Sequence, residues 1–93
     1  MTIAIYTGTF DPVTLGHLDI IHRASKIFDN LIVAVALDNG KQTLFSDDER
    51  RIMIEESLIS QVGENEAKKI KIVSFSGLLV NFAKKNKAQV LIR

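Results

Sequence analysis

Apolar positions along the chain follow two alternating rhythms. Ile3–Tyr6 and Leu31–Leu37 are unbroken apolar runs rich in Ile and Val, the pattern of strands covered on both faces in a parallel sheet. Ile70, Ile72, Val73 and Phe75 form a third run, and Val90-Leu91-Ile92 a fourth. Between the runs the apolar spacing becomes three and four. Leu18, Ile21, Ala24, Ile27 and Phe28 share one face of a helix expected over His17–Phe28. Ser46-Asp47-Asp48-Glu49 has the form of a capping box, with Ser46 as N-cap and Glu49 three residues on. The helix it opens carries Ile52, Met53, Leu58 and Ile59 and is expected to end near Ser60. The polar stretch Gln61–Lys69 reads as a solvated loop. Ser76-Gly77 then opens a third helix, with Leu78, Leu79, Phe82 and Ala83 facing inward. Lys84, Lys85 and Lys87 fall near its C-terminus, where the helix dipole favours cations.

The resulting order, β-α-β-α-β-α-β, gives a doubly wound α/β parallel sheet once crossovers are right-handed. No helix follows the fourth strand in the 93 residues given. Parallel sheets are normally covered on both faces, so residues 1–93 are expected to be the N-terminal part of a single larger domain, truncated after the fourth strand. An apolar fraction of 46% and a charged fraction of 25% are ordinary globular values and exclude wholesale disorder. Net charge is +1, from 12 basic and 11 acidic residues. That balance argues against a general nucleic-acid or membrane-surface binder. With no cysteine, a disulfide framework, a thiol nucleophile and thiolate metal sites are excluded. The longest apolar run is too short to span a bilayer, and the N-terminus lacks a signal-peptide pattern. A cytoplasmic protein is expected.

One loop concentrates the turn residues. "GTFDPVTLGH", from Gly8 to His17, holds the only proline and two of the five glycines. It lies between the first strand and the first helix, where open α/β sheets bind ligands. Gly8 lets the backbone approach a ligand or take a positive φ, and Pro12 stiffens the loop. Asp11, before that proline, orders the turn. Thr9 offers a hydroxyl, the amides beyond Gly16 and the helix dipole favour an anion, and His17 brings an imidazole to the first helical turn. These parts suit phosphate. Taken singly, they are equally the parts of a tight connection and a surface histidine.

The full pattern, Gly-Thr-Phe-Asp-Pro followed by Thr-x-Gly-His between a buried strand and a helix, resembles the signature of the nucleotidylyltransferase superfamily. The extended form "YTGTFDPVTLGHLDIIHRA", with "FDNLIVAVA", "GKQTLFSDDER" and "FSGLLVNFAKKNKAQVLIR", resembles the phosphopantetheine adenylyltransferases. The resemblance implies a Rossmann-like nucleotidylyltransferase fold. It also implies a reaction: the phosphate of 4′-phosphopantetheine attacks the α-phosphorus of ATP, giving dephospho-coenzyme A and pyrophosphate, with Mg²⁺ assisting. On the family's pattern His17 binds the ATP phosphates and stabilises the transition state. Thr9 and the backbone of Phe10 bind ATP, and Thr9 also meets the second substrate. Lys41 draws the two phosphates together. Leu79 lines the pantetheine pocket, and Arg93 binds the phosphopantetheine phosphate. No protein metal ligand is implied. The family's habit is a hexamer.

Lys41 also fits a solvated loop lysine, and Leu79 also fits plain core. His22 reads as surface. The chain departs from the family at Thr7, usually proline, at Leu15, usually asparagine, and at Gln42-Thr43, usually Lys-Pro. The family continues past the position of Arg93 with further ATP-binding segments, so residues 1–93 alone are expected to be inactive. Two other readings remain: another superfamily member, such as a nicotinate-mononucleotide adenylyltransferase or a cytidylyltransferase, and a catalytically silent binding fragment.

Overall fold

In the computed structural model, which describes residues 2–37 and 42–92, the chain folds as β1 (Ile3–Gly8), α1 (Leu15–Ile27), β2 (Asn30–Ala36), α2 (Asp47–Val62), α3 (Glu64–Ala67), β3 (Ile70–Phe75), α4 (Leu79–Lys85) and β4 (Val90–Ile92). All four strands are parallel, in the order β3-β2-β1-β4. The chain therefore winds outward from β1 through β2 to β3, then returns to place β4 on the other side of β1. The reversal falls between β1 and β4, and the loop leaving β1 opens at that point.

Alternation along the strands feeds two cores. Ala4, Tyr6, Leu31, Val33, Val35 and Ile70 face Leu18, Ile21 and Ala24 of α1 and Ile54 and Leu58 of α2. On the opposite face Ile5, Ile32, Ala34 and Phe75 meet Ala83, with Leu79 and Phe82 packed beside them. Because β2 is buried on both sides, its sequence is continuously apolar. Phe75 and Phe82 stack with ring centroids 4.9 Å apart, seating α4 on β3.

Several expected details change. α1 starts at Leu15 rather than His17, because Thr14 and His17 form a capping box of their own. Ile27 is 73% exposed and leaves the core face, while Phe28 stays packed against it. On α2 the buried stripe is Arg50, Ile54 and Leu58. Of the apolar residues this helix carries, Ile52 and Ile59 are exposed and Met53 is half-buried. The Ser46–Glu49 box forms as expected: Ser46 Oγ accepts from Glu49 N–H at 3.2 Å, and Glu49 Oε1 accepts from Ser46 N–H at 2.9 Å.

The expected loop over Gln61–Lys69 is instead the end of α2, Gly63 and the short α3. Gly63 takes φ 87°, a left-handed value that suits glycine and turns the chain between the two helices. Ala67 is thereby buried. α4 begins at Leu79, after Gly77 at φ 83°. Leu78 is left 67% exposed as an N-cap without a side-chain bond, not inward as its spacing suggested. Among the described residues no helix is long and apolar enough to cross a membrane.

Candidate phosphate-binding site

The loop after β1 is built around an aromatic cluster. Phe10 is 2% exposed, and its ring meets Tyr6 edge-on at 5.5 Å and His17 edge-on at 4.9 Å. Phe10 has φ 48°, uncommon for a bulky residue, and its buried ring is what holds it there. The same ring explains Gly8. A Cβ at Gly8 would stand 3.2 Å from the tip of the Phe10 ring, a tight contact that glycine avoids. Its φ is not positive, contrary to one of the two roles expected for it. Burial raises the pKa of the Tyr6 hydroxyl above its ordinary value.

His17 is held by its own helix start. Thr14 N–H donates to His17 Nδ1 at 3.0 Å, and Thr14 Oγ1 accepts from His17 N–H at 3.2 Å. A backbone N–H can only donate, so Nδ1 must keep its lone pair. In the neutral ring the proton then sits on Nε2. The fold thus presents an N–H donor at the far side of the imidazole, with the ring plane set by Phe10. Two further donors belong to the same first helical turn. Leu18 N–H already bonds to Thr14 O, while the N–H groups of Leu15 and Gly16 have no partner among the described residues. Both residues are exposed at the start of a 13-residue helix. Unpaired first-turn amides and the helix dipole together favour an anion.

Asp11 does more than order its own turn. Its carboxylate oxygens accept from Leu44 N–H at 2.6 Å and Phe45 N–H at 2.8 Å, fastening the β1–α1 loop to the segment entering α2. Arg50, which the sequence reading passed over, is 3% exposed and donates to Thr9 O at 3.0 Å. The only cue was its place one helical turn before Ile54 and two before Leu58, on what proves to be the buried stripe.

Of the residues expected in the site, Thr9, Phe10 and His17 converge on this loop. Leu79 is at the same carboxyl edge of the sheet but follows β3, two strands from β1. At about 4.8 Å per strand step that is roughly 10 Å away. It is half-buried in the second core, so the packing part of its expected character holds. A groove of about 590 Å³ opens near it, lined by Ser74, Ser76, Gly77, Leu78, Asn81 and Phe82 among others. That groove lacks the loop's imidazole and unpaired helix-start amides. Lys41 and Arg93 lie outside the described residues. His22, expected at the surface, is half-buried.

Comparison with known proteins agrees with this geometry. The chain is 46% identical over 91 residues to a phosphopantetheine adenylyltransferase of Bdellovibrio bacteriovorus, with 98% of this chain and 53% of that protein covered. It is 50% identical over 91 residues to the phosphopantetheine adenylyltransferase of Helicobacter pylori, with 98% and 54% covered. The chain thus spans about half the length of the curated relatives it matches. Among solved structures, a lipopolysaccharide core biosynthesis protein from Thermoplasma volcanium superposes with a TM-score of 0.66 at 26% identity, over 98% of this chain and 72% of that one. A family model described as cytidylyltransferase-like matches residues 5–93. With the strand order, the switch point beside β1 and the Thr14–His17 helix start in agreement, the chain belongs to the cytidylyltransferase-like family.

Proposed function

We propose that the protein transfers the adenylyl group of ATP to 4′-phosphopantetheine, giving dephospho-coenzyme A and pyrophosphate. A phosphate oxygen of 4′-phosphopantetheine forms a bond to the α-phosphorus of ATP. The bond from that phosphorus to the bridging oxygen breaks, and pyrophosphate leaves with the electron pair. The observation that carries the chemistry is the Thr14–His17 pairing, which leaves Nε2–H of His17 as a preorganised donor on the same first helical turn as the Leu15 and Gly16 amides. Charge that grows on the phosphoryl oxygens in the transition state is stabilised by such donors without reorganisation. The choice of substrates follows the names of the two relatives.

In this reading Thr9, the Phe10 backbone and His17 hold ATP, while Thr9, Lys41, Leu79 and Arg93 meet phosphopantetheine. Mg²⁺ enters with ATP as part of the substrate. The triphosphate oxygens would hold the ion, while the Asp11 carboxylate serves the Leu44 and Phe45 amides. The same reading extends to a cytoplasmic homo-oligomer, a hexamer on the resembled family's pattern.

The test is pyrophosphate release by the full-length protein from ATP, with 4′-phosphopantetheine and nicotinate mononucleotide offered separately. Release with phosphopantetheine alone is expected. Release with nicotinate mononucleotide alone, or only with CTP as donor, would assign the protein to a different transferase.

A further inference from the structure

α2 reaches the site from beneath. Arg50 Nη1 donates to Thr9 O at 3.0 Å and to Ala36 O at 3.2 Å, and Nε donates to Ser46 O at 3.4 Å. The three carbonyls belong to separate segments: the residue after β1, the last residue of β2 and the N-cap of α2. Asp11 makes the same link in the other direction, from the β1–α1 loop to the amides of Leu44 and Phe45. A cation on α2 and an anion on the loop therefore tie these backbones together.

Packing alone does not call for arginine at this position. The next two buried places on the stripe, Ile54 and Leu58, are both 0% exposed and apolar. Burying a guanidinium is costly unless its donors are satisfied. Here carbonyl oxygens take up three of its five N–H donors, and among the described residues no carboxylate lies within ion-pair distance. An apolar side chain fills space but fixes no carbonyl, whereas the planar guanidinium fixes several at once.

We propose that Arg50 is a positioning residue for the phosphate loop, with Asp11 as its counterpart: together they lock the Thr9–His17 segment against the start of α2 so that its donors converge on a polyphosphate. The proposal rests on the reading of this loop as a phosphate site and adds residues which that reading does not use. Arg50 acts through the loop and touches no substrate.

The test is a double-mutant cycle on the full-length protein, read by calorimetric titration with inorganic pyrophosphate and by kcat and KM for adenylyl transfer. Arg50→Met is expected to weaken pyrophosphate binding by about tenfold or more. In a His17→Ala background the same substitution should cost measurably less, because one of the donors being positioned is gone. Arg50→Lys, which keeps the charge and part of the donor set, should restore part of the loss. If Arg50→Met does not fold, Asp11→Ala cuts the same link from the loop side and should show the same dependence on His17. Equal losses in both backgrounds, or a folded variant with wild-type affinity, would overturn the proposal. If the wild type binds pyrophosphate but transfers no adenylyl group, the assigned reaction fails while the binding cycle still decides the role of Arg50. A wild type that binds no pyrophosphate overturns both.

Discussion

Gly16→Ala should move folding and binding in opposite directions. Gly16 is exposed at the second position of α1. A Cβ there would meet only Thr14 Oγ1, at 3.6 Å, an ordinary contact. Its backbone is not in the left-handed region, so the fold itself does not require glycine. Exchanging a helical glycine for alanine stabilises by roughly 0.5–1 kcal/mol. In the first turn, where intrahelical bonding is incomplete, about 0.5 kcal/mol is the reasonable expectation. If the Leu15 and Gly16 amides receive a phosphate, the added methyl stands where the anion must approach. A tenfold loss of pyrophosphate affinity, equivalent to about 1.4 kcal/mol, is then expected. Urea denaturation and calorimetric titration of the same preparation measure both effects. Increased stability with unchanged affinity would show that the anion does not use these amides. Loss of both would show that the glycine is structural, and the reasoning from open space would fail.

His17→Ala should lower kcat by about a hundredfold or more, as loss of a preorganised donor does, while ATP binding weakens much less; near-normal kcat would refute its role. A separate prediction concerns the start of α2. The Ser46 N–H, and after it the Ser46 hydroxyl, hold the Glu49 carboxyl below its ordinary pKa. A carboxyl whose folded pKa is depressed adds stability above its unfolded pKa and loses it as pH falls through the folded value. Chemical denaturation should therefore show Glu49→Ala less stable than wild type at neutral pH, with the gap closing in acid; a gap independent of pH would rule this out.

The element order was legible because strand and helix periods differ, and β2 could be read from its run alone. The Ser46 box was legible because Ser and Glu are the usual residues for it. The Thr14 box was missed because its third residue is histidine, whose Nδ1 takes the place of a carboxylate oxygen. The buried stripe of α2 was not legible because it starts with an arginine, and hydrophobic counting cannot see a buried cation held by backbone carbonyls. The loop's residue types pointed to phosphate. The tautomer of His17 and the cross-link from Asp11 to Leu44 and Phe45 depend on contacts that no local pattern encodes.

The central claim is that the fold presents Nε2–H of His17 to a phosphate. Nitrogen-15 NMR of the imidazole reads that atom directly, at a pH where the same spectra show the ring to be neutral. The account predicts a protonated Nε2, an unprotonated Nδ1 and a shift of the Nε2–H resonance when Mg·ATP is added. A ring protonated at Nδ1, or an Nε2–H resonance indifferent to Mg·ATP, would contradict it.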